Sequence, residues 1–267
     1  MAKKEKQPKK KKNKVVINRG ISGAGTDYRV YILSPGQKLL AMAVGFAVGF
    51  AAAYIYFDFI PLGIVVGAIA AWKAIDIYTN KLFTRRQREL RLQFRDLLES
   101  LSNSYTVGMT ASRAFHNAYS DMVTEHGKDA VITKELQLIC AMHDGQGVEI
   151  KDMVNDFAER SGLDDVRSFA SVYDVATDLG GDIAKVIRET RDMIGDKIEI
   201  ELEIQTMVTG QKNQLNILAV MPLVMALLTR TFSSGPQTPL VIIVKCVALV
   251  LFVFAYWLGT KIVNVKV

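Results

Sequence analysis

Four stretches of this chain are too apolar for water, and they bracket a single polar block, which leaves few architectures open. Residues 39–57 hold nineteen positions without a charge, close to the roughly 20 apolar residues that cross a bilayer as a helix. Asp58 interrupts, and 60–78 continues the pattern, with Pro61 near its start and Trp72 and Tyr78 at its far end. Lys73 and Asp76 lie one helical turn apart there, where they can pair or reach the headgroups. A third stretch, 215–229, contains Pro222 as a kink site. A Ser/Gly/Pro-rich loop over 230–239 leads to the fourth, 240–258. Lys245 lies inside this last stretch near one end, so its ammonium is expected to snorkel. The sequence thus predicts an all-α polytopic membrane protein, with two N-terminal and two C-terminal transmembrane helices flanking a polar domain over 79–214.

Charge sets the orientation. Residues 1–14 carry eight Lys against one Glu, a net of +7, so the chain's +6 leaves about −1 elsewhere. The sequence pI of 9.2 therefore belongs to a tail. A nucleic-acid partner, which would need a basic face with aromatics among the charges, is not indicated. A second cluster, Arg85, Arg86 and Arg88 with Arg91 and Arg95, follows the first pair of spans. Positive charge on both flanks places both ends of this hairpin in the cytoplasm. The expectation is a multi-pass protein of the cytoplasmic (inner) membrane, with both termini and the 79–214 domain cytoplasmic. Residues 259–267 form a short tail with Lys261 and Lys266. Residues 1–38 read as a basic flexible tail. Gly20, Gly23 and Gly25 lack the dinucleotide-loop spacing and are expected to be linker. A signal peptide is disfavoured by the long n-region and by the second apolar segment directly behind the first. Gly45/Gly49 and Gly63/Gly67 give each arm of the hairpin a Gly-x-x-x-Gly, which lets helices approach closely in lipid.

The polar block has helical periodicity. Leu90, Phe94, Leu97, Leu98, Leu101 and Tyr105 recur every three or four residues and stop near Gly108. Thr110 or its neighbour is expected to cap a second helix through Ala114, Ala118 and Met122, ending before Gly127. A third runs from about 130 through Leu136, Ile139 and Met142 to Gly147. A fourth, about 149–160, turns Met153, Val154, Phe157 and Ala158 inward. Asp164 or Asp165 is read as the cap of a fifth, with Val166, Phe169, Val172, Tyr173 and Ala176 inward, ending at Gly180-Gly181. Asp182 caps the sixth. The prediction is a bundle of about six helices. In the sixth, Ile198, Ile200, Leu202 and Ile204 alternate with Glu199, Glu201 and Glu203, a period-2 pattern. Glu, Leu and Lys favour helix, and as a helix this stretch has two apolar sides. Residues 197–207 are therefore expected to contribute to a subunit interface.

Chemistry-bearing motifs are absent. His116, His126 and His143 form no pair with metal-ligand spacing, and Cys140 and Cys246 lie in different blocks and read as reduced packing residues. Gly-x-Ser-x-Gly and paired intramembrane carboxylates are missing. Few ionisable groups and no inverted repeat argue against a transporter. No enzymatic activity, cofactor or metal is expected.

The polar block resembles the type II secretion F domain. The matching residues are Leu97-x-x-x-Leu101 leading into Gly108-Met109-Thr110 and Ala114, Glu135, Gly147, Phe157-Ala158-Glu159-Arg160, Asp165-Val166 with Phe169, and Leu179-Gly180-Gly181-Asp182-Ile183-Ala184. They span roughly 95–225. The order of two spans, domain and two spans is similar to the tight-adherence (Tad) branch of pilus assembly proteins. The resemblance implies a non-enzymatic inner-membrane platform protein of a type IV pilus or type II secretion system. Its implied partners are a hexameric secretion or pilus ATPase, a pilin, the lipid bilayer, and a paralogous platform protein or a second copy of itself. Gly108, Glu135, Gly147, Gly180, Gly181 and Pro222 are then structural positions. Arg85, Arg86, Arg88, Glu199, Glu201 and Glu203 are candidate partner contacts. The competing reading is a membrane-anchored signalling or scaffold protein with a cytoplasmic helical bundle.

Overall fold

The structure, a computed structural model, describes residues 18–57, 59–232, 247–248, 251–252, 254–255 and 258–261. The tail 1–17, Asp58, the 233–246 stretch with Lys245 and Cys246, much of the fourth apolar segment, and Lys266 lie outside the described residues. Among the described residues no strand occurs. The elements are α1 (Pro35–Phe57), α2 (Ile60–Thr106), α3 (Ala111–His126), α4 (Val131–Gln146), α5 (Ile150–Ser161), α6 (Asp164–Leu179) and α7 (Ile183–Phe232). They divide into two units. One joins Tyr31 and the described residues before it to Gln87–Thr190; the other joins Ile32–Arg86 to the residues from Arg191 onward.

In the second unit α1 begins at Pro35, four residues ahead of the expected start. Pro35 occupies the first helical position, where its missing N–H removes no bond and its φ suits the helix. Ser34 and Gln37 form a reciprocal box: the Ser34 amide donates to Gln37 Oε1 (3.2 Å) and the Gln37 amide to Ser34 Oγ (3.5 Å). The paired glycines do what their spacing predicts. A methyl on Gly45 or Gly49 would sit 2.5 Å from the Cβ of Ala74 or Ala70, and the Phe46 and Phe50 rings fill the space over Gly67 and Gly63. Leu39, Leu40, Val48, Ile69 and Trp72 point outward, between 58% and 76% exposed. That pattern excludes the core helix of a water-soluble protein, which would bury these side chains. Among the described residues, α1 and α2 are long and apolar enough to cross a membrane, which suggests a membrane protein.

The long helices join membrane-type and polar sequence without a break. α2 runs 47 residues, about 70 Å at 1.5 Å per residue, against a hydrocarbon core of about 30 Å. No Gly or Pro falls between Lys73 and Thr106, and Arg, Gln, Glu and Leu carry the helix through the expected boundary at 79. α7 is likewise continuous over 50 residues and includes Pro222. It absorbs the period-2 stretch, so 198–204 is helix. Leu215, Leu218, Ala219, Pro222 and Leu223 line an apolar cavity of about 460 Å³ with Ala52, Ala53, Tyr56 and Phe57 at the end of α1.

The first unit has the predicted core. Leu90, Phe94, Leu98 and Leu101 of α2 are buried with Ala114, Phe115 and Met122, Leu136, Met153, Phe157, Val166, Phe169, Tyr173 and Ile187. Phe94 meets Phe169 edge-on at 5.6 Å, and Phe169 packs on Tyr173 at 5.5 Å. α5 packs on α6, and α4 on both α3 and α5. Three local expectations need correction. Val172 is half exposed, because the buried arc of α6 runs through 166, 169, 170, 173 and 176 and leaves 172 outside it. Leu163 is the N-cap of α6; Asp164 and Asp165 sit inside the first turn, where they complement the helix dipole. Thr110 is the N-cap of α3, but its side chain makes no capping bond. Asp182 does cap α7, accepting from the Lys185 amide at 3.0 Å.

Replacing Gly49 with Leu should separate α1 from α2, since the new side chain has only the Ala70 methyl and the Gly67 backbone to occupy. Thermal unfolding of the detergent-solubilised chain is the readout, with a lower transition expected for Gly49→Leu and no lowering for Val48→Leu on the exposed face.

Candidate functional site

The most unusual group in the molecule is the guanidinium of Arg160, fully buried near the end of α5. A buried charge is tolerated only if paired and fully hydrogen-bonded. Its Nη1 and Nη2 donate to Glu135 Oε1 and Oε2 on α4 at 2.8 and 2.7 Å, a bidentate pair. Its Nε donates to Asp156 Oδ2 one turn back at 2.8 Å. Nη1 also reaches the Thr26 carbonyl at 3.1 Å. Burial alone would lower the arginine's pKa, but Glu135 and Asp156 more than offset it and hold the value above its ordinary level.

Thr26 belongs to the segment expected to be loose linker. Residues 18–31 instead form a strap over this cluster. The Ile21 amide donates to Asp156 Oδ1 at 2.8 Å, and the Tyr28 amide to the Arg160 carbonyl at 2.9 Å. The Tyr28 hydroxyl donates to Glu135 Oε1 at 2.7 Å. Burial and the adjacent Glu135 carboxylate push the phenol's pKa well up. Gln87 of α2 donates to the carbonyls of Tyr28 and Ser161 at 2.8 and 3.0 Å. The strap is also closed on itself: the Asn18 amide donates to Asp27 (2.9 Å), the Gly20 amide to Asn18 Oδ1 (3.0 Å) and the Gly25 amide to the Arg19 carbonyl (2.9 Å). Two of its glycines have a packing reason. A Cβ on Gly20 would fall 2.4 Å from the Asp156 carboxylate, and one on Gly25 would fall 2.7 Å from the Arg160 guanidinium carbon. Four of the five N–H donors of Arg160 bond to protein acceptors on α4, α5 and the strap, so this is a lock that fixes the three to one another.

The histidines sit elsewhere. His116 Nε2 pairs with Asp144 at 2.9 Å, with the Ser112 carbonyl at 2.8 Å from Nδ1. The Ser112 carbonyl chiefly, helped by Asp144, raises its pKa. His143 Nδ1 lies 2.9 Å from the Val148 carbonyl. His126 Nε2 is 3.1 Å from Asp96 Oδ2, and Glu125 brings a third potential donor atom within 4.8 Å of both. Thirty residues separate His126 from Asp96, so linear spacing could not show this group. Arg95 already holds the other Asp96 oxygen at 2.8 Å. Cys140 is buried and free, its thiol pushed up to about 11 by burial.

The residues singled out in sequence are scattered. Glu135 is in the Arg160 lock. Gly147 and Gly180 are left-handed C-caps of α4 and α6, with φ of 69° and 68°, a conformation that costs a non-glycine residue about 1–2 kcal/mol. The Gly181 amide bonds the Ala176 carbonyl at 2.8 Å. Gly108, with φ of 78°, follows α2. Arg85 and Arg88 are exposed and Arg86 half-buried; Glu199 and Glu203 are exposed and Glu201 half-buried. Arg160 and Tyr28 carry the site, and only Arg160 fell within a quoted motif. An Arg on the apolar face of α5, set among Phe157 and Ala158, was the signal to read.

No family model, curated protein or solved structure matches the chain.

Removing one partner of the lock leaves an uncompensated buried charge. Glu135→Gln or Arg160→Met should each cost about 3–5 kcal/mol, read by thermal unfolding of the detergent-solubilised chain and by new proteolysis within 18–31. The double variant Glu135→Leu/Arg160→Met should recover much of the loss.

The raised His116 pKa makes a stabilising contribution that is complete below the ordinary imidazole value of 6.5 and lost as pH rises through the higher folded value. Asp144→Asn should reduce the stability difference between pH 5.5 and pH 8, measured by thermal unfolding, leaving the part due to the Ser112 carbonyl in place.

Proposed function

We propose that this chain is a non-enzymatic platform protein of the cytoplasmic (inner) membrane, part of a type IV (Tad-like) pilus or type II secretion system. In this reading it couples a cytoplasmic assembly ATPase to the insertion and extraction of pilin subunits. The observation that carries the proposal is the combination of a close-packed helical hairpin of membrane length with an all-helical body whose loops follow the Gly108, Gly147 and Gly180-Gly181 pattern. A polar helical body entered by α2, which continues as one helix out of the apolar hairpin, suits a part that transmits movement.

The finer topology belongs to the same proposal: 215–229 and 240–258 as third and fourth spans, both termini and 79–214 in the cytoplasm, and a partner domain supplied by a paralogue or a second copy. Exposed Arg85, Arg88, Glu199 and Glu203 are its contact candidates for the ATPase and for the other platform chain. The apolar outer faces of the spans are the surfaces for a pilin helix.

Crosslinking in intact membranes, with purification through an N-terminal tag, is the direct test. A hexameric secretion ATPase and a peptide with a pilin-type apolar N-terminal helix are expected among the products. Recovery of a receptor or a kinase in their place would move the function to membrane-anchored signalling or scaffolding.

A further inference from the structure

Ahead of the third apolar stretch, α7 carries an apolar seam that its own fold leaves open. Residues 191–213 hold eight charged side chains, too many for a hydrocarbon interior. The buried side of the helix here is carried by Ile194 and Ile198. Beside it, Met193, Ile200 and Met207 repeat every seven residues and are 59%, 52% and 64% exposed. Lys197 and the half-buried Ile204 fall between them. The seam therefore advances in steps of four and three residues, as heptad positions d, a, d, a, d do. A repeat of about 3.5 residues drifts by about 20° per heptad around a straight helix of about 3.6 residues per turn. Such a stripe keeps to one face only when two helices coil around each other. The spacing continues through Leu218, Met221, Met225 and Leu228, where apolar exposure is ordinary for a helix in lipid.

Three features select a second copy of the same helix, running parallel. The first is a hollow. Met193, Asp196, Lys197 and Ile200, with Glu201, line a cup of about 280 Å³. In heptad terms the first four are d, g, a and d, the four residues that form the hole for an a residue of a parallel partner. For a second copy in register, that knob is Lys197. The second feature is charge. The ammonium enters beside Asp196 and Glu201 of the facing copy, so each copy carries both halves of the contact. The third is orientation. Two copies inserted in one bilayer point the same way, and an isologous pair then meets layer for layer: Met193 on Met193, Ile200 on Ile200, Ile204 on Ile204. A polar residue at a single a position fixes such a register. The fifteen residues of 193–207 make a short seam, and confinement to one membrane raises the effective concentration of the second copy.

We propose that α7 pairs with α7 of a second copy of this chain, as a parallel, in-register coiled coil over Met193–Met207. The pairing deepens the second-copy arm of the platform reading and rests on it only for a common orientation in one bilayer. Glu203, at a g position, flanks the seam; Glu199, at c, stands off it.

The test is single-cysteine scanning of the full chain in membranes, with Cys140 and Cys246 replaced by Ala. After mild oxidation, Ile200→Cys, Ile204→Cys and Met207→Cys should each give a disulfide-linked dimer of the chain. Glu199→Cys and Leu202→Cys, at exposed positions on other faces of the helix, should give at least several-fold less. Adding Ile200→Asp to Ile204→Cys should cut the dimer several-fold while helix content by circular dichroism stays unchanged. Equal linking at all positions, links only between Met193→Cys and Met207→Cys chains mixed together, or disulfides only to another protein would each overturn the proposal. Loss of the ATPase and pilin from tag-purified membranes would strike the platform reading and leave these dimers in place. Loss of the dimers alone would remove the coiled coil and leave the platform with a paralogous partner.

Discussion

A guanidinium with no access to water governs how the rest of the body is put together. Arg160 can stay charged inside the protein only because Glu135 meets it fork to fork, Asp156 takes its third nitrogen, and a strap carbonyl completes the set. Each partner comes from a different place: α4, the preceding turn of α5, and a segment more than a hundred residues upstream. Satisfying one side chain therefore fixes three pieces of backbone. The strap then runs through Tyr31 into Pro35 and α1, so the first apolar helix is joined covalently to the most tightly specified part of the helical body. Hydrophobic packing alone would hold the helices together with less definition, because apolar contacts are non-directional.

The membrane hairpin obeys a different rule. In lipid, apolar side chains gain nothing by meeting one another, and close backbone approach has to drive association. Gly45 and Gly49 against Ala74 and Ala70, and Phe46 and Phe50 seated over Gly67 and Gly63, supply it. The body uses side-chain burial and a buried ion cluster; the hairpin uses small residues. α2 runs through both kinds of sequence as a single helix. That continuity is what the proposed coupling role would exploit.

Much of this was legible in the sequence, and the part that was not has a physical cause. The period of Leu90, Phe94, Leu97 and Leu101, and glycines at 127, 147, 162 and 180, located the helices of the body almost to the residue, because capping and burial are local properties. Helix continuity through 79 and through 214 was hidden by the change in polarity. Polarity reports the surroundings of a helix and says nothing of whether the backbone continues. Val172 looked inward because it is aliphatic, while its angular position puts it in solvent. The strap was missed outright. Gly20, Gly23 and Gly25 in a polar stretch read as flexibility, yet two of these glycines are there because Asp156 and Arg160 leave no room for a Cβ. A glycine required by close approach and a glycine in a linker are the same letter, and only the partner more than a hundred residues away tells them apart. The Asp96, Glu125 and His126 grouping was invisible for the same reason.

Hydrogen exchange of the membrane-embedded chain, resolved to the amides of residues 18–31, tests the packed strap most directly. The amides of Ile21, Gly25 and Tyr28 should be protected to a degree comparable with those of α4 and α5, since they are bonded to Asp156, the Arg19 carbonyl and the Arg160 carbonyl. Exchange of these three at the rate of an unfolded peptide, with α4 and α5 still protected, would contradict it and leave Arg160 to be satisfied some other way.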